Sequence, residues 1–130
     1  MMGPRTSFDF LKNKLNMYNL VERETINGRV VTDIDRAPMA LGALSVGVTP
    51  LEMAGAYQIF GNGGTFTPTP SYTKVLDSNG EVVLEKDFTP TRVISPETST
   101  VMNRLLQQVT TAPQGTGTTA KFGAMPVAGK

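Results

Sequence analysis

Two patterns in this chain carry the residue types of covalent catalysis. Ser71-Tyr72-Thr73-Lys74 sets a lysine three residues after a serine. On a helix that spacing returns the amine beside the hydroxyl after about one turn, where it can manage the serine's proton. The final stretch, Pro126-Val127-Ala128-Gly129-Lys130, places a cation behind small and β-branched residues. Acidic candidates are the pair Asp33 and Asp35, and Glu52. The chain contains neither histidine nor cysteine. That excludes Ser-His-Asp and Cys-His catalysis, thiolate zinc sites and most other transition-metal sites. Any nucleophile here needs lysine, tyrosine or a carboxylate as its base.

The elements that must position these groups decide between them. Ser71 follows Pro68 and Pro70 and leads into alternating residues, Tyr72-Thr73-Lys74-Val75-Leu76. In a strand, residues three apart point to opposite faces, so Ser71 and Lys74 cannot act together there. Asp33 and Asp35 lie in a polar stretch and read as solvated surface charge. Glu52 stands three residues after Thr49, with Pro50 between them, and reads as half of a capping box. Gly61-Asn62-Gly63-Gly64 comes after the helix that Pro50 opens, whereas a phosphate cradle precedes one; it reads as a C-cap.

Taken in order, Thr6 and Ser7 are N-cap candidates for a helix to about Tyr18, with Phe8, Leu11, Leu15 and Tyr18 inward and Lys12 and Lys14 toward water. Asn27-Gly28 signals a turn, with Arg29-Val30-Val31-Thr32 as a short strand behind it. Ala37 to Leu44 is small and apolar, suited to tight packing. In the next helix, through Phe60, Ala54, Gly55 and Ala56 allow close approach by another element. Thr65 to Pro70 is an extended connector. Val75 and its neighbours pair with Glu81-Val82-Val83-Leu84-Glu85 around Asp77-Ser78-Asn79-Gly80 as a hairpin with an Asn-Gly turn, which needs support because two strands alone are marginal. Ser95, Pro96 and Glu97 open a second capped helix, whose Val101, Met102, Leu105, Leu106 and Val109 form a stripe expected in the core. Pro113 closes it, Gly115 to Thr119 is a flexible turn, and Pro126 to Gly129 reads as the start of a buried strand. No internal repeat is present.

At 130 residues the chain is one domain's worth. Its 39 % hydrophobic and 18 % charged content excludes a disordered class. A net charge of +1 offers no argument for nucleic acid or an anionic membrane. No apolar run approaches the roughly 20 residues of a membrane span. Met2-Gly3 with Ser7 imitates a myristoylation signal, but Met1 precedes it and Pro4 follows.

From Ala37 onward the chain resembles class A penicillin-binding transpeptidases. The resemblance rests on Leu41-Gly42, the helix from Thr49 to Gly64 (TPLEMAGAYQIFGNGG), the Pro-rich connector and hairpin, the helix from Val93 to Val109, the Gly115-Thr116-Gly117 turn, and Val127-Ala128-Gly129-Lys130. These segments keep their order over about 90 residues, a combination more specific than any single motif. Residues 1–36 are a less distinctive lead-in, and the whole chain is expected to be one fragment of the transpeptidase domain, ending at the lysine of a Lys-Thr-Gly motif.

The resemblance implies an α+β piece of the serine β-lactamase/D,D-transpeptidase-like fold, with helices and a β-hairpin but without most of the central sheet. It also implies a parent enzyme that cross-links peptidoglycan stem peptides through a serine acyl-enzyme and is acylated by β-lactams. That parent works at the extracytoplasmic face of the bacterial membrane and needs no cofactor. Lys130 is the one catalytic and substrate-binding residue carried over, as the cation facing the substrate carboxylate. The family's helix-borne Ser-x-x-Lys and its Ser-x-Asn do not occur in these residues, so no nucleophile is assigned and the chain itself is expected to be inactive. Thr116 and Thr118 sit in a run like the family's Thr-Gly-Thr-Thr, but Pro113 and Gln114 stand where its lysine would be. The alternatives are a non-catalytic binding or scaffold module of the same fold and a β-lactamase-like hydrolase. Unsupported apolar faces also point to self-association of the fragment.

Overall fold

In a computed structural model, residues 3–130 are described; Met1 and Met2, and with them the start of the myristoylation-like motif, lie outside the described residues. The chain divides into two units, residues 3–57 with 66–91 and residues 58–65 with 92–130.

The first unit begins with α1 (Pro4–Lys14). The helix starts earlier than Thr6, because Pro4 at its first position presets φ and has no N–H to satisfy. Gly3 is the N-cap and makes no side-chain bond. The helix also stops short of Tyr18. Asn16 turns left-handed (φ 56°), Met17 N–H donates to Leu11 O at 3.1 Å, and Tyr18 is exposed. Phe8, Leu15, Met17, Leu20 and Val21 are buried. Lys12, read as solvent-facing, is half-buried: its ammonium donates to Leu20 O at 2.7 Å and lies 5.4 Å from the centre of the Phe8 ring.

β1 (Glu24–Ile26) and β2 (Arg29–Val31) pair antiparallel across Asn27-Gly28. Both turn residues have positive φ, 51° and 75°, the geometry that matches strand twist in a two-residue hairpin. α2 (Arg36–Leu41) is capped by Asp35, which accepts the Arg36 N–H at 2.6 Å. The tight packing expected of this segment is not found: α2 has no buried residue, and Leu41 is 82 % exposed.

α3 (Pro50–Gly61) opens with the expected capping box. Glu52 N–H donates to Thr49 Oγ1 at 3.1 Å, and Glu52 Oε2 accepts the Thr49 N–H at 2.8 Å. A Cβ on Gly55 would lie 2.8 Å from Thr69 Oγ1, so the connector does approach closely there. β4 (Lys74–Leu76) and β5 (Val82–Glu85) form the second hairpin, with a register shift between Val75 and Leu76. Its turn is longer than a two-residue Asn-Gly loop: Asp77 Oδ1 accepts from Asn79 and Glu81 N–H, and only Gly80 is left-handed (φ 84°). All strand residues of this hairpin are exposed, so the expected support does not come from the described residues.

In the second unit, Gly64 N–H donates to Ile59 O at 2.8 Å and closes the helix, as a glycine C-cap does. β3 (Thr65–Phe66) pairs with β6 (Thr91–Arg92). α4 (Pro96–Thr111) is capped by Ser95, whose Oγ accepts the Thr98 N–H at 3.1 Å. The α4 stripe is only partly covered: Met102, Leu106 and Val109 are half-buried, while Val101 and Leu105 are exposed. A 3-10 turn (Thr118–Ala120) follows. The three strand pairs are separate two-stranded sheets. Helices with short antiparallel strands, and no central sheet among the described residues, make this an α+β fold, the class the resemblance implies.

Candidate functional site

Lys130 ends an extended segment strapped to the last third of α4. Thr110 Oγ1 lies 2.7 Å from Val127 O, and Gly129 N–H donates to Leu106 O at 3.2 Å. The segment is not a buried strand, since among the described residues it has no strand partner and Lys130 is exposed. A strand requires a neighbour to complete its ladder, and here the helix supplies the partners instead.

The turn that brings the chain back from α4 is close-packed. Gly117 N–H donates to Val109 O at 2.9 Å. A Cβ on Gly115 would lie 2.3 Å from Val109 O, a contact only glycine escapes. Thr116 and Thr118 are exposed beside it.

The other sequence candidates, Ser71, Lys74, Asp33 and Glu52, belong to the first unit and Lys130 to the second. Ser71 sits at a bend before β4, and Lys74 Nζ is 3.4 Å from Glu85 Oε1, its cross-strand partner. Lys74 is thus paired across the hairpin with Glu85, in a strand and not on a helix. Lys86 lies over the Tyr72 ring at 5.2 Å, another exposed cation packed locally.

Asp33 overturns its reading as solvated charge. It is 0 % exposed, accepting Val21 N–H on Oδ2 at 2.8 Å and Ser45 N–H on Oδ1 at 2.7 Å. Burial alone would raise its pKa; the N–H donors of Val21 and Ser45 outweigh that and hold it below the ordinary aspartate value. Glu52 follows the same balance. Desolvation raises its pKa, but donation from Thr49 and from the Asn19 N–H and side chain brings it below the ordinary value. Both carboxylates stay ionised at neutral pH and act as hydrogen-bond acceptors for backbone, not as proton carriers.

Two buried hydroxyls escaped the sequence reading. Ser99 Oγ contacts Ile59 O and Phe60 O, each at 3.0 Å, and Thr110 holds Val127. Their only signal in sequence is a small polar side chain on the helix face that also carries Leu106 and Val109.

The chain matches the family described as the penicillin binding protein transpeptidase domain over residues 3–130. It is 45 % identical over 94 residues to penicillin-binding protein 1A of Clostridium botulinum, covering 72 % of this chain and 11 % of that protein. It is 36 % identical over 139 aligned positions to penicillin-binding protein 1A of Clostridium novyi, covering 94 % of this chain and 16 % of the relative. Penicillin-binding protein 4 of Bacillus subtilis is 39 % identical over 93 residues, covering 72 % of the chain and 15 % of its own length. The chain thus spans only between 11 % and 16 % of the length of these relatives. With its capped α3 and α4, its close-packed glycine turn and this similarity, the chain belongs to the penicillin-binding protein transpeptidase domain family, as part of a class A transpeptidase domain.

Proposed function

We propose that these residues form part of a serine-type D-Ala-D-Ala transpeptidase that cross-links peptidoglycan stem peptides and is acylated by β-lactams, which mimic D-Ala-D-Ala. In this reading Lys130 is the lysine of the Lys-Thr-Gly motif, and its ammonium faces the substrate's terminal carboxylate. An ammonium is a compact point charge suited to that role. The parent would act at the outer face of the bacterial cell membrane; no helix among the described residues is long and apolar enough to cross one. By itself the chain is inactive and prone to self-association.

The observation that carries this reading is the family match over residues 3–130 combined with the placement of the one Ser-x-x-Lys. A nucleophilic serine needs its lysine beside it, and Lys74 instead turns to Glu85. The nucleophile therefore has to come from residues other than these.

Labelling with a fluorescent penicillin tests it, applied to this chain and to the full transpeptidase domain that contains it. The expected result is acylation of the full domain alone, mapped by mass spectrometry to a serine outside residues 1–130. An adduct on Ser71 of the short chain would overturn the assignment. Failure of both to label would favour a non-catalytic scaffold, and rapid hydrolysis of the adduct a β-lactamase-like hydrolase.

A further inference from the structure

α4 is held near both ends by buried hydroxyls, and the second of these reaches the segment that carries Lys130. Thr110 is 2 % exposed, and its Oγ1 lies between two carbonyls, Val127 O at 2.7 Å and Gln107 O at 3.0 Å. A threonine hydroxyl has one proton to give. Gln107 O already receives the Thr111 hydroxyl at 2.9 Å, while the Val127 contact is the shorter of the two. The Thr110 proton is therefore assigned to Val127. Gly129 N–H adds a second tie, to Leu106 O at 3.2 Å. On the helix, Leu106 and Thr110 are four residues apart and share a face. One helix face thus grips the chain at two points immediately before Lys130.

The other end of the bracket is equally fixed. Ser99, also 2 % exposed, hooks α4 to the carbonyls of Ile59 and Phe60 in the last turn of α3. Val109 O receives the Gly117 N–H, and Gly115 has no room for a side chain against it. Exposed residues 118–126 separate that turn from Val127, so the ties to Thr110 and Leu106 are what hold the chain before Lys130.

We propose that Thr110 is a positioning residue for Lys130: its hydroxyl fixes the Val127 carbonyl to α4 and so sets where the lysine ammonium stands. This rests on the reading of Lys130 as the cation that meets the substrate carboxylate. Thr110 itself touches no substrate. Removing the hydroxyl while keeping the shape leaves the Val127 carbonyl without its donor, and the segment is then free to find another partner.

The test uses the full transpeptidase domain and a fluorescent penicillin, with acylation followed over a range of concentrations to separate capture from acyl transfer. Thr110→Val should lower the second-order acylation rate about tenfold, equivalent to about 1.4 kcal/mol. The loss should lie in the half-saturating concentration and not in the maximal rate, and Thr110→Ser should restore it. Thr110→Val should add little once Lys130→Ala is present, because both act on one contact.

If Lys130→Ala impairs acylation and Thr110→Val does not, or if their effects simply multiply, the positioning role is overturned and the reading of Lys130 stands. Unchanged acylation in Lys130→Ala overturns that reading and the positioning role with it. Should Thr110→Val fail to fold, Thr110→Cys keeps the size with a weaker donor. Equal acylation by Thr110→Cys and Thr110→Ser would then overturn the proposal.

Discussion

Asp33 carries its charge where water does not reach, a placement that is costly unless donors replace the lost solvent. Val21 and Ser45 supply them, each twelve residues away along the chain, so the carboxylate ties three segments of the first unit together. Asp33→Asn presents an amide N–H₂ to one of these N–H groups and should destabilise the protein by about 1–3 kcal/mol, measured by urea unfolding at pH 7. The pH dependence has a definite sign. Because the folded pKa lies below the unfolded value of about 3.9, Asp33 contributes fully above that value and its contribution fades as pH falls through the lowered folded pKa. The gap between wild type and Asp33→Asn should therefore be constant from pH 7 to about 5 and narrow below about 4; a gap that widens in acid would contradict it. Glu52 was legible in the sequence because its cap partner Thr49 is three residues away. Its bonds to Asn19, like both partners of Asp33, are long-range and leave no local pattern to read.

Local signals also served best for whole elements. The starts of α3 and α4, the glycine end of α3 and the Asn27-Gly28 hairpin were legible because each depends on a few neighbouring dihedrals or a short-range bond. Gly64 tests this reading. It has φ +91°, and a Cβ there would lie 2.2 Å from Ile94 O, while its own carbonyl accepts the N–H groups of Val93 and Ile94. Gly64→Ala is strained in backbone and in space together and should cost about 2–4 kcal/mol. Gly61, in the last turn of the same helix, has nothing near its Cβ position. Gly61→Ala should be neutral or stabilising by up to about 1 kcal/mol, since alanine is the better helix former. Thermal melts of the two variants provide the comparison, and equal destabilisation would refute the role given to Gly64. What periodicity could not reveal is how much of an apolar face finds cover. The α4 stripe and the β4–β5 alternation are both real, yet Leu105 is 55 % exposed and the hairpin is open along its strands.

That shortfall sets the behaviour of the whole chain. Large apolar side chains are exposed in both units, Leu41, Val46, Leu51 and Leu84 in the first and Val101 and Leu105 in the second. Uncovered apolar area of this kind drives association, at roughly 25 cal/mol for each Å² removed from water. With a net charge of only +1, electrostatic repulsion does little to oppose it. The 130-residue chain should therefore elute from gel filtration above its monomer mass, or bind a hydrophobic dye, with the oligomer growing as concentration rises. The full transpeptidase domain at the same concentration should do neither if its remaining elements cover these faces. Substituting Leu105 and Val101 by glutamine should reduce association of the short chain without lowering its helix content, since both side chains already face solvent. A sharp monomeric peak with cooperative melting would instead mean that the short chain closes over its own apolar faces, by a packing different from the one described.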